Sequence, residues 1–259
     1  MVDIHPTAHV SEGVELGENV VIGPYSIVEK NAVIGDGSII KSHVFIGEDT
    51  TIGKENTIYQ GAIVGSLTQD LKYQGGRTFL DIGDNNIIRE YVTINRGTGD
   101  GERTIVGNQN TFLAYTHIAH DCILGNKIIM SNLSTIAGHS QVADSVVISG
   151  YVGVHQFCKI GTMAMIGGMS KVTKDVPPYV KVQGNPAYVF GLNSVGLERN
   201  GVNKEDRRVL RRAYHYLYRS GYNVSQAIEE IKKELEMIDV LLVFLDFLET
   251  SERGIVKSK

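Results

Sequence analysis

The sequence predicts a mainly β chain: a parallel β-helix of hexapeptide edges over residues 1–190, followed by a small α-helical domain over 191–259. Three observations carry this. Aliphatic residues recur at every sixth position from Val10 to Val172. Small or slim residues stand two places before many of them. Beyond Asn203 the apolar spacing changes to i, i+3, i+4, the period of a helix.

The hexad count runs Val10, Leu16, Ile22, Val28, Ile34, Ile40, Ile46, Ile52, Ile58 and Val64. It resumes at Ile82, Ile88 and Ile94, and again from Val106 through Phe112, Ile118, Leu124, Met130 and Ile136 to Val172. Ala8, Ser26, Ala32, Ser38, Ala62, Thr116, Cys122, Ser134, Ser140, Cys158, Ala164 and Ser170 hold the small position. Alternate residues of a strand share a face, so each hexad reads as a short strand pointing one large and one small side chain inward. Self-similarity at a fixed short period marks a solenoid. The pattern resembles that of the hexapeptide-repeat proteins. That resemblance implies a left-handed coil of eighteen residues made from three hexads, against the usual right-handed crossover.

Two stretches interrupt the count, near 66–80 (SLTQDLKYQGGRTFL) and 96–104 (RGTGDGERT). Both are polar or glycine-rich and read as extruded loops, where binding groups belong on a rigid scaffold. After Val172 the prolines and glycines of KDVPPYVKVQGNPAYVFGLNSVGLERNG break regular structure. Asn203 then reads as a helix N-cap, with Glu205 and Asp206 in the first turn and Val209, Leu210, Ala213, Tyr214 and Leu217 as an apolar stripe. Two further helices are expected at about 223–237 and 239–250.

Lys and Arg total 25 against 29 Asp and Glu, a net charge of -4 that gives no global attraction to nucleic acid. MVDIHPTAHV lacks the basic flank and apolar run of a secretory signal, and no segment approaches the roughly 20 apolar residues of a membrane span. VLLVFLDFL is short and carries Asp246. The expected setting is therefore cytoplasmic, without membrane insertion.

With an eighteen-residue coil, residues eighteen apart stack at roughly 4.8 Å, and sequence arithmetic becomes a ruler. His120, Gly138 and Gln156 form one line; Asp121, His139 and Phe157 form the next. His117, Thr135, Gly153 and Lys171 form a third, and His155 adjoins Gln156. Four of the eight histidines thus gather on one small patch. Cys122 and Cys158 stand two coils apart, about 9–10 Å, too far for a disulfide, and are expected as buried thiols.

The patch THIAHDC with its neighbours has three readings. The first is a set of solvated corner histidines, which four on one patch disfavour. The second is a zinc site, for which Asp121 and the Gln156 amide are poorly suited, so no metal is expected. The third is proton transfer: His120 as base, Asp121 orienting its ring, and the backbone N–H of Gly138 holding an oxyanion. Base, orienter and oxyanion donor together suggest acyl transfer.

IAHDC, IAGH at Ile136–His139, VHQFC at Val154–Cys158, QDLKY at Gln69–Tyr73, DVPPYV at Asp175–Val180 and the helical tail resemble the UDP-N-acetylglucosamine acyltransferases that begin lipid A biosynthesis. The resemblance spans essentially the whole chain. It implies a homotrimer with sites between subunits and transfer of an (R)-3-hydroxyacyl group from acyl carrier protein to the sugar 3-position. It needs no cofactor beyond the phosphopantetheine that bears the donor. It assigns His120, Asp121 and Gly138 to catalysis and Asp70, Lys72, His117, His139, His155 and Gln156 to substrate contact. Asn193 and Arg199 fall on the nucleotide and carrier side, and Gly168, Met169 and Lys171 along the acyl groove. Arg207, Arg208, Arg211, Arg212 and Arg219 suit an acidic carrier. Three departures touch substrate recognition: Asn95 stands where the family commonly has histidine, Val195 where it has an acid, and Asn200 where it has arginine. Asn95, counted among the substrate-binding residues, raises acylation of the 3-amino analogue of the sugar as an alternative. GNPA at Gly184–Ala187, which also occurs in coenzyme A-dependent hexapeptide acetyltransferases, raises another.

Overall fold

A computed structural model describes residues 1–259. Strands mostly two residues long stack into three parallel sheets that wall a left-handed triangular prism. One sheet contains Thr111–Phe112, the next His117–Ile118, and the third Ile123–Leu124, so one coil visits each wall once. His117 pairs with Thr135, Thr135 with Gly153 and Gly153 with Lys171, so the eighteen-residue ruler holds here. Ile58 pairs with Ile88 and Ile88 with Phe112; the excesses over eighteen, twelve and six residues, are the two extruded loops.

The hexad residues form the core, each 3% exposed or less from Ile22 to Val172. Val10 and Leu16 are only partly buried because few coils lie beneath them. At the corners non-glycine residues adopt left-handed backbone, among them Tyr115 (φ 63°), Asp121 (φ 58°), His139 (φ 58°) and Phe157 (φ 63°). Such a conformation costs an L-residue energy that its surroundings must offset. Here the stack does so: the His139 N–H donates to the His120 carbonyl and the Phe157 N–H to that of Gly138, both at 3.1 Å.

A ladder of buried asparagines ties the coils beside the loops. The Asn86 N–H and amide both donate to Asn56 Oδ1, the Asn110 N–H donates to Asn86 Oδ1, and the Ile128 N–H donates to Asn110 Oδ1. These side chains replace main-chain partners that the corner geometry leaves without one.

The helical segment begins with α1 (Ser194–Arg199), one short turn that the composition of LNSVGLERNG concealed. α2 (Lys204–Arg219) starts at the expected Asn203 cap. α3 (Val224–Glu234) has an Asn223–Gln226 capping box and stops short of 237 because Leu235 turns extended. α4 (Asp239–Glu249) completes a second core of Leu210, Ala213, Ile231, Leu241 and Phe244, into which Tyr179 inserts from the β-helix. No helix is long and apolar enough to cross a membrane.

The last residues leave the helices and return to the prism. The Asp175 N–H donates to the Gly254 carbonyl, Val256 donates to the Asp175 carbonyl, and Val189 donates to Lys257. The fully buried Asp175 carboxylate accepts from the Lys159 N–H at 2.8 Å and the Ser251 hydroxyl at 2.7 Å. Helices and prism are thereby locked at the same end.

Replacing Asn86 by Ala strands the buried Asn110 N–H, while the Gly83 carbonyl keeps the Asn56 amide at 2.9 Å. The expected cost is about 2–3 kcal/mol, read as a lowered thermal midpoint; an unchanged midpoint would show the ladder to be dispensable.

Candidate active site

His120 and Asp121 form the corner between the second and third sheets, just after His117–Ile118. The left-handed φ of Asp121 turns its side chain back on its neighbour, and Oδ2 lies 2.7 Å from His120 Nδ1. The two side chains are only 11% and 8% exposed, so this contact is shielded from competing water. An ionised carboxylate only accepts, so Nδ1 carries the proton and Nε2 presents a bare lone pair.

Two threonines fix the acid in turn. Asp121 Oδ1 accepts from the Thr98 backbone N–H at 3.0 Å, and the Asp121 N–H donates to Thr104 Oγ1 at 2.8 Å. Neither residue carries a motif; only the return of the second loop over the corner marks them.

One coil on, the His120 ring occupies the space a Cβ on Gly138 would need. Glycine is required there by the approach of an imidazole, since the backbone has no unusual φ. The Gly138 N–H has no partner within the chain. A free donor therefore lies beside the ring that bears the bare Nε2, the arrangement needed to hold charge on a carbonyl oxygen.

His139 meets the His120 ring edge-on at 5.1 Å and stacks on Phe157 at 4.6 Å. Its Nε2 is 3.7 Å from Asp121 Oδ2. His117 Nδ1 lies 2.7 Å from the Thr93 hydroxyl. Burial pushes the His117 imidazole below its ordinary 6.5, and neighbouring His120 adds to the shift. Asp70, from the first loop, places Oδ2 3.9 Å from His120 Nε2. His155, Gln156 and Lys72 are exposed. Donor atoms of His120, Asp121 and His139 lie within 4.8 Å of one another. The 2.7 Å pair among them is closer than two ligands of one tetrahedral zinc, which stand roughly 3.3 Å apart.

The other expected residues are engaged within the chain or lie farther off. Asn95 is buried, and its amide nitrogen donates to Ser66 Oγ and the Leu67 carbonyl, both at 2.8 Å, fastening the loop bases. Its Oδ1 is buried without a partner. Asn193 is also buried; it caps α1 and donates to the Met163 carbonyl. Both polar ends of Asn193 are thus committed inside the chain. Exposed Arg199 lies on α1, Gly168 and Met169 form the corner between the first and second sheets, and Lys171 lies on the second. Gly168 and Met169 stand one corner away, roughly 20 Å along an edge of six residues, whereas Asn95 lies one coil below Ala119, beside His120, and Lys171 stands three coils from His117 on the same wall.

Both cysteines are free and buried, with thiols pushed by burial to about 12 for Cys122 and about 11 for Cys158. Neither supplies a thiolate near neutrality.

An imidazole held in one tautomer, with an unpartnered backbone donor beside it on a hexapeptide-repeat β-helix, fits an acyltransferase of that fold class. Comparison with known proteins narrows the class. The chain matches the family model described as UDP N-acetylglucosamine O-acyltransferase, domain 2, over residues 175–256, and that of bacterial transferase hexapeptide repeats over 13–48. It is 47% identical to a Thiobacillus denitrificans protein over 99% of this chain and 100% of that one. It is 48% identical to an Aliivibrio salmonicida protein over 98% and 97%. Both are named acyl-acyl-carrier-protein UDP-N-acetylglucosamine O-acyltransferase. The solved UDP-N-acetylglucosamine O-acyltransferase of Moraxella catarrhalis superposes with a TM-score of 0.94 at 44% identity, covering 98% and 99% of the two chains. The chain belongs to the UDP-N-acetylglucosamine O-acyltransferases.

Gly138→Ala forces the His120 ring off its seat. Activity is expected to fall by at least about a hundredfold with the fold retained, as for loss of an oriented base; near-normal turnover would show the seat to be loose.

His117 makes a second prediction through its depressed pKa. Below about 6.5 the unfolded chain takes a proton that the folded chain resists, so stability falls as pH drops from there. The difference in thermal midpoint between the parent and His117→Asn should change between pH 7 and pH 5, with the variant less acid-sensitive. Parallel curves would contradict the burial argument.

Proposed function

We propose that this chain transfers an (R)-3-hydroxyacyl group from the phosphopantetheine thioester of acyl carrier protein to the 3-hydroxyl of UDP-N-acetylglucosamine, the first step of lipid A biosynthesis. The observation that carries the mechanism is the 2.7 Å contact of His120 Nδ1 with Asp121, which leaves Nε2 free to accept. Nε2 takes the proton of the sugar hydroxyl as its oxygen attacks the thioester carbonyl. The Gly138 N–H holds the resulting oxyanion. Collapse breaks the carbon–sulfur bond, and the His120 imidazolium returns its proton to the departing thiolate. Asp121 stabilises the imidazolium between these steps without itself taking the proton.

His139, His117, Asp70, Lys72, His155 and Gln156 surround this centre as substrate contacts. Gly168, Met169 and Arg199 lie on other corners, too far around one prism to reach the same bound molecule at His120, while Lys171 stands three coils from His117 on the same wall. A homotrimer solves this, because the corner of one subunit then meets a different corner of the next. Arg208, Arg211 and Arg212 are exposed on α2 and offer a cationic surface for an acidic carrier protein. The proposed substrates fit a cytoplasmic enzyme. Asn95, with its amide nitrogen held by Ser66 and Leu67 and its Oδ1 without a partner, does not choose between the two acceptors; the name of the relatives, O-acyltransferase, favours the 3-hydroxyl. Competition between the two UDP-sugars is expected to favour the 3-hydroxyl form.

His120→Ala is the test of the base. Acyl transfer is expected to drop by roughly 10²–10⁴-fold with folding intact, and retained activity would overturn the mechanism. Lys171, stacked beyond the bare Gly153, bears on acyl length. Lys171→Ala should broaden the range of chain lengths accepted from a series of acyl carriers; unchanged selectivity would remove Lys171 from the groove.

A further inference from the structure

The two extruded loops form a single hydrogen-bonded lobe. At its base the Arg96 N–H donates to the Ser66 carbonyl at 2.9 Å and the Gly97 N–H to that of Phe79 at 3.1 Å. Arg96, 4% exposed, reaches down to the Glu48 carbonyl at 2.8 Å and its carboxylate at 3.2 Å. Arg77, at the return of the first loop, holds Asp49 at 2.7 Å, while its N–H donates to Asp100 of the second at 2.8 Å. Toward the reacting centre, the Thr68 and Thr98 hydroxyls meet at 2.8 Å.

That last contact stands between two groups that face His120. Thr68 Oγ1 accepts from the Asp70 N–H at 3.1 Å, placing the carboxylate that lies 3.9 Å from His120 Nε2. Thr98 donates its own N–H to Asp121 Oδ1, the acid on the opposite ring nitrogen. A continuous path of hydrogen bonds thus runs from Asp70 through Thr68 and Thr98 to Asp121. The rest of the lobe is fastened at its base; this hydroxyl pair couples its substrate end to the acid.

We propose that the Thr68–Thr98 hydroxyl pair is a latch that positions both carboxylates about His120, so that seating of the sugar on the first loop and orientation of the base by Asp121 depend on one hydrogen bond. Thr68 and Thr98 are positioning residues: neither touches a reacting atom. The inference rests on the assignment of His120 and Asp121 above. It adds that the lobe is part of the catalytic apparatus as well as a binding surface.

The experiment is a double-mutant cycle on the full chain with acyl carrier protein and UDP-sugar. Thr98→Val and Thr68→Val each remove one hydroxyl while keeping the branched shape. Each is expected to lower kcat/KM roughly tenfold, the scale of one lost hydrogen bond in a shielded site. The loss should be split between a higher KM for the sugar, from Asp70, and a lower kcat, from Asp121. The double variant should be no worse than Thr68→Val, where the bond that Thr98→Val breaks is already gone along with the Asp70 N–H contact. Thr98→Ser should restore activity. Additive losses, a wild-type Thr98→Val, or losses that track thermal midpoint instead of kcat and KM would overturn the latch. His120→Ala, assayed alongside, separates the two ideas. Activity retained there removes the mechanism itself, whereas an inactive His120→Ala beside a normal Thr98→Val removes only the latch.

Discussion

Everything at this site depends on the vertical registry of eighteen-residue coils at the sheet spacing of roughly 4.8 Å. A separation of that size leaves room for a flat ring above one backbone only if that backbone bears no side chain. His120 over Gly138 is this arrangement, and it sets the ring, its free nitrogen and the unpartnered N–H of Gly138 in one place. The corners that carry these residues are left-handed, and bonds such as His139 N–H to the His120 carbonyl hold them there. Scaffold and site therefore share the same bonds. A slip of one residue in the stack would reverse the faces of every strand above it.

The division of labour follows from stiffness. On the proposed mechanism the prism supplies atoms whose positions must not vary: the imidazole, its acid and the oxyanion donor. On the same reading the loops supply Asp70 and Lys72 to a substrate that must enter and leave. Their bases are nonetheless anchored by buried groups, Asn95 and Arg96, with Arg77 holding the carboxyl of Asp49 below its ordinary value. Loops of this kind give access without surrendering geometry.

Much of this was legible in the residues alone, because a strict period converts distance along the chain into distance in space. The prism, the buried thiols, the gathering of His117, His120 and His139 and the seat of His120 on Gly138 all follow from counting sixes and eighteens. The count fails where the chain leaves the prism. Thr98 holds Asp121 from a loop residue with no period and no motif, and Thr104 does so from the small position two before Val106, where residue type alone does not announce the bond. Asn95 and Asn193 show the same limit from the other side. Family resemblance places them with substrate; their amide nitrogens also anchor loop and helix, a second engagement that residue type does not carry. α1 was hidden because six residues are too few to display helical spacing. The closing tail was hidden because its bonds to Asp175 and Val189 join residues far apart in sequence.

The central claim is that the stack aims one bare nitrogen, His120 Nε2, at the hydroxyl that is acylated. A crystal structure of the chain with UDP-N-acetylglucosamine tests it most directly. The account predicts the sugar 3-oxygen within about 3 Å of His120 Nε2, the reach of a general base, with the Gly138 N–H still open toward the space the thioester carbonyl would fill. A sugar bound with its 3-oxygen turned from His120, or Nε2 occupied by another group of the chain, would contradict it.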